Sequence, residues 1–529
     1  MKKIILLLMA VFSLSAYAQE PFVLWGDPIS KSEPPTRIHE IFQLENSGFY
    51  ALRKAGPGHP VSLVQYLDKY SSSFNRIFGK MIPLHDGRGE DLLTLQNILP
   101  MKNKIAVFYV GYRKTAKENF LVMRTMLSDG EMESGRIELE SIPVRGRFNS
   151  SSFRTAMSPD NSKMLLVTTF PMGRGINYRV RLKAFDAENM QEIWQKEIEM
   201  NFDSRNGEVL QFLIDNAGNA YLTGRYFAED KSINYFLWTY SALSSAWNEN
   251  TLNLQGRKIS DSEQRLIFDA KGDVVFAGFL YEGFEKEAFR RIFFLKVNGQ
   301  TQELEPLSQM GFGNTASGEN EYVPFARWKL RAVLPQLNGN ILVIGENEAE
   351  SRVTRNINPP GSTATSGYAY QNHSKEIKVL SITPSGTRNW LTTIFKDQKA
   401  ITNDPTSITN SFIYTLVNDR LFIVYNNLSL AQARTQTQAL AWLWTEVDGR
   451  THSIKDFAQR TETPTFLYIV EPDGRPIYDD RRFGLPLFDF QKNVPYPMTL
   501  NSYVFLPLND GIIMMQESTG RFQFGKIHF

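Results

Sequence analysis

A turn-and-strand signature recurs along the chain and limits what it can fold into more than any other feature. Gly218-Asn-Ala-Tyr-Leu-Thr-Gly224 is echoed by Gly272-Asp-Val-Val-Phe-Ala-Gly278 and by Gly339-Asn-Ile-Leu-Val-Ile-Gly345. Each copy is a tight turn, an apolar β-rich run and a second glycine, and each follows an apolar strand of its own. A repeat of this size with two hairpins per unit specifies a radial or linear β array. Eight first hairpins can be laid out, with turns near Ser47-Gly48, Lys102-Asn103, Asp160-Asn161, Gly218, Gly272, Gly339, Asn418-Asp419 and Asp510-Gly511. Asn, Asp and Gly accept the positive φ that a tight hairpin demands. The strands that follow, such as residues 105–110, 164–168 and 421–425, are short and mostly apolar. That suits strands buried on both faces.

Second hairpins follow at residues 180–198, 235–248, 292–304, 377–394 and 466–478. Several end in a tryptophan a few residues past the turn, as in Ser385-Gly386-Thr-Arg-Asn-Trp390 and Glu188-Asn189-Met-Gln-Glu-Ile-Trp194. Four strands per unit of roughly fifty to sixty residues make a propeller blade. The expectation is an all-β chain: one β-propeller of four-stranded blades, eight favoured, or seven if the weaker first or seventh unit is not a separate blade. The last unit, from Tyr503 to Phe529, has room for about three strands. A segment after Gln19 is therefore expected to complete it and remove an open sheet edge. A closed array can absorb all 529 residues as one domain, here 19–529.

Three stretches resemble known repeats. Asp215-Asn-Ala-Gly218-Asn219-Ala-Tyr221-Leu-Thr-Gly224 is similar to the bacterial β-propeller repeat with a D-x-x-G-N-x-Y-x-x-G core. Ser158-Pro159-Asp160-Asn-Ser-Lys-Met-Leu-Leu resembles the WD-like repeat of TolB-type periplasmic propellers. Ala184-Phe-Asp186-Ala-Glu-Asn-Met-Gln-Glu-Ile-Trp194 resembles quinoprotein-type repeats but lacks their turn glycine. The resemblance implies a propeller and a periplasmic setting; propellers host many unrelated activities.

The first residues read as an export signal. Lys2 and Lys3 supply the positive region, residues 4–14 the apolar core, and Ala16-Tyr17-Ala18 the cleavage site, so residues 1–18 are a signal peptide and the mature chain begins at Gln19. The apolar run is too short to span a bilayer. The chain contains no cysteine, which excludes disulfides and a lipid-modified cysteine after the signal. The expected location is the periplasm or the periphery of the outer membrane, or outside the cell. Acids and bases nearly balance at a net charge of +2, which argues against a general nucleic-acid binder.

Loops between the second and third strands of a blade, and links between blades, share one face. The long insertions fall there, near 309–324, 346–375 and 426–464. Long loops on a compact scaffold carry function more often than connections do. The alternative is that solvent-facing loops simply tolerate insertion. Tyr322, Phe325, Tyr368, Tyr370, Trp442 and Trp444 are the aromatic residues these segments offer as contact anchors.

Chemistry is sparse. His39, His59, His85, His373, His452 and His528 are scattered without metal-ligand spacing, so no metal or cofactor is expected. No G-x-S-x-G elbow occurs. Asp261, Glu263, Glu319, Glu321 and Glu348 are carboxylates that a central pocket could bring together for acid–base work on a sugar, the alternative being that most are solvated surface residues or turn formers. Asp215 and Asp269 occupy matching repeat positions and read as turn formers. Arg145, Arg147 and Arg154 form a small basic cluster. The leading expectation is a non-enzymatic scaffold docking on an envelope or outer-membrane protein, one version being an accessory or plug of an assembly or secretion machine. The alternative is a carbohydrate binder or hydrolase using the central funnel.

Overall fold

The chain is an eight-bladed β-propeller built from four-stranded antiparallel sheets. The computed structural model describes residues 22–30, 36–43, 48–55, 64–86, 93–102, 104–144, 151–230, 232–281, 291–312, 327–356, 366–396, 398–402, 411–427, 465–477, 484–491, 494–498, 500, 504–518 and 521–529. Every regular element among them is a strand. The expected signal peptide lies outside the described residues.

Two compact units divide the chain. In the larger, blades 1 to 6 follow one another in sequence, their first strands being Thr36–Phe42, Leu93–Met101, Ser152–Met157, Gly207–Ile214, Lys258–Phe268 and Arg327–Pro335. Each hydrophobic layer here draws on two successive blades. Val107 and Tyr109 of blade 2 share one layer with Tyr50 and Leu67 of blade 1, and Trp238 of blade 4 shares another with Val180 and Leu182 of blade 3. A middle strand is covered on both faces, which is why Val274–Tyr281 and Lys163–Thr169 read as nearly unbroken apolar runs.

The smaller unit holds blades 7 and 8. Blade 7 comprises Phe412–Val417, Arg420–Asn426, Thr465–Val470 and Leu485–Pro486. Blade 8 has three strands from the C-terminus, Phe505–Leu508, Gly511–Ser518 and Arg521–His528, and takes its fourth, Phe22–Trp25, from the N-terminus. The expected closure by a segment after Gln19 is what the sheet contains.

The repeat signature now has a mechanical explanation. Its leading glycines, Gly218, Gly272 and Gly339, turn the first hairpin with φ of +90°, +86° and +89°. Its trailing glycines face a defect in the first strand. In blade 4, Gly224 pairs with Val209 and the extra residue Leu210 follows at once; in blade 6, Gly345 pairs with Leu330, just before the extra Arg331. In blade 5, Gly278 pairs with Gln264, where a longer bulge ends. A bulge leaves its extra residue unpaired and bends the strand locally. A Cβ at Gly278 would stand 2.4 Å from Glu263 O and 2.8 Å from Gln264 Cα. Gly278→Ala is therefore expected to destabilise the protein by about 1–3 kcal/mol, whereas Gly135→Ala, where a Cβ meets nothing within 4 Å, serves as the neutral control. Urea unfolding of the two variants checks this, and equal midpoints would refute it.

The Asp residues at the matching repeat positions hold the turns, as their spacing suggested. Asp215 Oδ1 accepts from Asn219 N at 2.8 Å, and Asp269 Oδ1 accepts from Lys271 N and Asp273 N at 2.8 and 2.9 Å. The tryptophans that follow second-hairpin turns reach neighbouring turns: Trp194 Nε1 donates to Gly218 O at 3.0 Å and Trp390 Nε1 to Pro472 O at 2.9 Å.

Candidate functional site

The insertion expected at 346–375 is present, but most of it is strand rather than loop. The second strand of blade 6, Ile341–Asn356, and the third, Ser366–Ile382, run far beyond their neighbours in the sheet. Their pairing continues unbroken from Glu348↔Ser374 out to Asn356↔Ser366. A further strand, Gln398–Thr402, adds to the other side of this extension, pairing Gln398↔Ser374 through Thr402↔Tyr370. Blade 6 thus grows a three-stranded arm. The boundary between blade and arm is a bulge: Glu346 pairs with Ile377, whereas Glu348, two residues on, pairs with Ser374. An irregularity of this kind bends and twists a strand pair and so redirects it.

The base of the arm is held by buried charge. Glu346 and Glu348 lie two residues apart on one strand and so present to the same face. Arg331, the extra residue of the first-strand bulge, contacts Glu346 at 2.6 Å and Glu348 at 3.4 Å. Lys329 pairs with Glu348, and Lys396, on the segment leading to the third arm strand, pairs with Glu346. The Lys396 and Glu346 side chains are both fully buried. Burial pulls the lysine down from its ordinary pKa, and the carboxylate of Glu346 opposes that pull. Lys378 lies over the Trp328 ring, 5.0 Å from its centroid, and donates to Phe312 O at 3.4 Å. Three cations around two carboxylates tie the first strand, the second strand and the incoming third arm strand to one point.

Buried carboxylates elsewhere are also matched with cations. Asp68 is bridged by Arg53 and by Arg76, the latter at 2.6 Å, and Glu140 by Arg181 and Lys183 at 3.0 and 3.3 Å. Lys296 spans Asp269 and Asp273 at 3.0 and 2.7 Å.

Of the residues singled out from the sequence, Tyr368 and Tyr370 lie on the arm. Tyr368 pairs with Thr354, and Tyr370 pairs with Arg352 on one side and Thr402 on the other. Tyr322, Phe325, Trp442 and Trp444 lie outside the described residues, as do Glu319, Glu321, Arg145 and Arg147. Glu348 is placed beside Lys329 and Arg331, and Glu263 is buried in blade 5. Arg154 meets the carbonyls of Val209 and Leu210. Sequence reading missed the strand character of the arm, its third strand and the charge cluster. One signal was present: Val353-Thr354 and Tyr368-Ala-Tyr370 are β-formers on either side of Pro359-Pro360-Gly361, a turn mark.

No protein-family model matches the chain, and no curated protein matches it. Solved structures similar to it include the WD40 domain of SCAP from fission yeast, with 7% identity, a TM-score of 0.36, and 96% of this chain and 94% of that one covered. Another is the β-propeller domain of the Trilobed protease from Pyrococcus furiosus, at 11% identity and a TM-score of 0.31, covering 74% and 99%. A third is α-L-arabinanase from Penicillium chrysogenum in complex with arabinobiose, at 10% identity and 0.32, covering 71% and 97%.

Proposed function

We propose that this chain is an exported, non-enzymatic propeller scaffold that docks on a protein of the cell envelope through the arm of blade 6. The observation that carries the reading is the arm itself. A three-stranded extension, braced at its base by a buried charge cluster, is a costly structure for a mere connection between two strands. Paired strands suit a contact element, and the sequence puts tyrosines on them, a residue type that loses little entropy on docking.

The charge pattern favours binding over hydrolysis. Glycoside hydrolysis needs one carboxyl group that arrives protonated beside a second that is free to act on substrate or water. Glu346 and Glu348 are each held by two cations, an arrangement that suits an anchor. Export rests on the residues at 1–18, and an accessory or plug of an outer-membrane assembly or secretion machine is one version of this reading, by analogy with exported accessory propellers.

The test is to join Glu348 directly to Ser374 through a two-residue Asn-Gly turn, which removes the two long strands of the outer arm and the edge that Gln398–Thr402 pairs with, and keeps the base. The trimmed protein is expected to unfold at nearly the same temperature as the parent and to lose co-purification with membrane-derived protein complexes. Retention of the same partners by the trimmed protein would refute the reading. Mass spectrometry of exported material, expected to begin at Gln19, checks the signal peptide separately.

A further inference from the structure

Three side chains on the first strands of successive blades reach across to the backbone of the next. Gln96 of blade 2 donates to Phe153 O of blade 3 at 3.3 Å. Arg154 of blade 3 donates to Val209 O and Leu210 O of blade 4 at 2.8 and 3.3 Å. Gln211 of blade 4 donates to Gln264 O of blade 5 and accepts from Leu266 N, both at 2.7 Å. Two of these three links are neutral amides. Joining one blade to the next therefore needs no charge, and the charge of Arg154 is surplus to that role.

The guanidinium of Arg154 carries five N–H donors, and two carbonyls take only part of that capacity. It lies over the ring of Phe212, 5.0 Å from the centroid. Among the described residues it has no ion-pair partner; Glu208, whose charge reaches it, is committed to Arg225 at 2.6 Å. Burial pulls its pKa below the ordinary value, so the cation is incompletely solvated where it stands. Beside it is a cavity of about 240 Å³ lined by Gln96, Asn97, Phe108, Phe153, Thr155 and Phe212, along with Leu121 and Arg154. Gln96 and Asn97 of its lining are exposed. The volume exceeds the roughly 150 Å³ of an engineered cavity that accepts benzene.

We propose that this cavity between blades 2, 3 and 4 binds a small organic carboxylate with an apolar body, its carboxylate on Arg154 and its body against Phe212, the aromatic of the lining that is not fully buried. A guanidinium presents two parallel donors that match one carboxylate. The Phe212 ring rewards an apolar body, which an inorganic anion lacks. Gln96, Asn97 and Thr155 supply the few polar groups that fix orientation. The site is independent of the arm, and its failure leaves the docking proposal untouched.

Isothermal titration of the full chain with benzoate, benzamide and inorganic phosphate tests this, alongside Arg154→Gln. The variant copies the neutral links at Gln96 and Gln211, so it is expected to keep its fold and Tm. Benzoate is expected to bind the parent at least about tenfold more tightly than benzamide or phosphate. In the variant that preference should vanish while weak benzamide binding persists. Equal binding of benzoate and benzamide by the parent overturns the proposal, and this comparison stands even where the variant does not fold. Phosphate binding as tightly as benzoate, or unchanged benzoate binding by a folded Arg154→Gln, overturns it as well.

Discussion

Removal of Phe22–Trp25 is expected to abolish cooperative folding of blade 8 and convert the protein to aggregates. The strand runs antiparallel to Arg521–His528, pairing Phe22↔His528 through Trp25↔Gly525. Just beyond it, Gly26 N donates to Phe524 O at 2.9 Å, and Gln523 Nε2 donates to Gly26 O at 2.6 Å. Val23 is buried in the layer shared with Ile413, Val424, Leu467 and Ile512 of blades 7 and 8, and Trp25 packs against it. Trp25 also covers Gly525 so closely that a Cβ there would be 2.5 Å from the indole. Losing a buried valine costs about 2 kcal/mol and losing a packed tryptophan about 3 or more. Against a total stability of roughly 5–15 kcal/mol, that is a large share. The deletion also exposes Arg521–His528 as an open edge, a template for pairing between chains. Light scattering and thermal unfolding of the deleted chain check this; a monomer with the parental Tm would contradict it.

The second large effect is expected at the base of the arm. Glu346→Gln takes a carboxylate from a fully buried lysine, Lys396, and from Arg331. Breaking a buried ion pair by removing one partner costs about 3–5 kcal/mol, because the other charge stays buried and uncompensated. The pH dependence gives the cause. Burial holds the folded-state pKa of Lys396 below 10.5, and without Glu346 the chief opposing influence is gone. Between the folded pKa and 10.5 the unfolded chain binds more protons than the folded one, so the variant gains stability as pH rises through that window. The gap between variant and parent should therefore narrow from neutral pH to about pH 9.5. Adding Lys396→Met, which removes the stranded charge, should recover part of the loss at neutral pH. Denaturant unfolding at the two pH values decides the matter: a loss under about 1 kcal/mol, or a gap that widens with pH, would count against the buried-pair account.

How much of this could be read from sequence depends on how local each cause is. Gly218, Gly272 and Gly339 announce their turns because a positive φ is a property of one residue. The trailing glycines were visible as a pattern, yet their reason, a bulge on another strand, was not. The eight blades and the N-terminal strand of blade 8 followed from counting hairpins and finding the last unit one strand short. The arm was harder. Its pairing runs between residues on either side of 357–365, and its third strand joins from beyond the last strand of the blade. Nothing in residues 398–402 alone says which edge they will meet. Arg154 looked like one member of a basic cluster because sequence shows that a charge exists, while its lack of a counter-charge is a fact about space. Glu348 appeared as a free acid for the same reason, and the structure gives it Lys329 and Arg331.

The borrowed strand of blade 8 also dictates an order of events. Each of blades 1 to 7 can form its own sheet as soon as its four strands have been made. Blade 8 cannot, because Gly26 and Gln523, which bond beside the closing pair, are 497 positions apart. The strand made among the first must wait for the strand made last. Contacts of such sequence separation carry the loop-closure cost that slows folding. Until synthesis ends, Phe22–Trp25 is a short apolar segment with no partner of its own, and the chain depends on escaping other partners during that interval. A chain cut short before residue 521 would have seven complete blades together with an N-terminal strand that can never find its place.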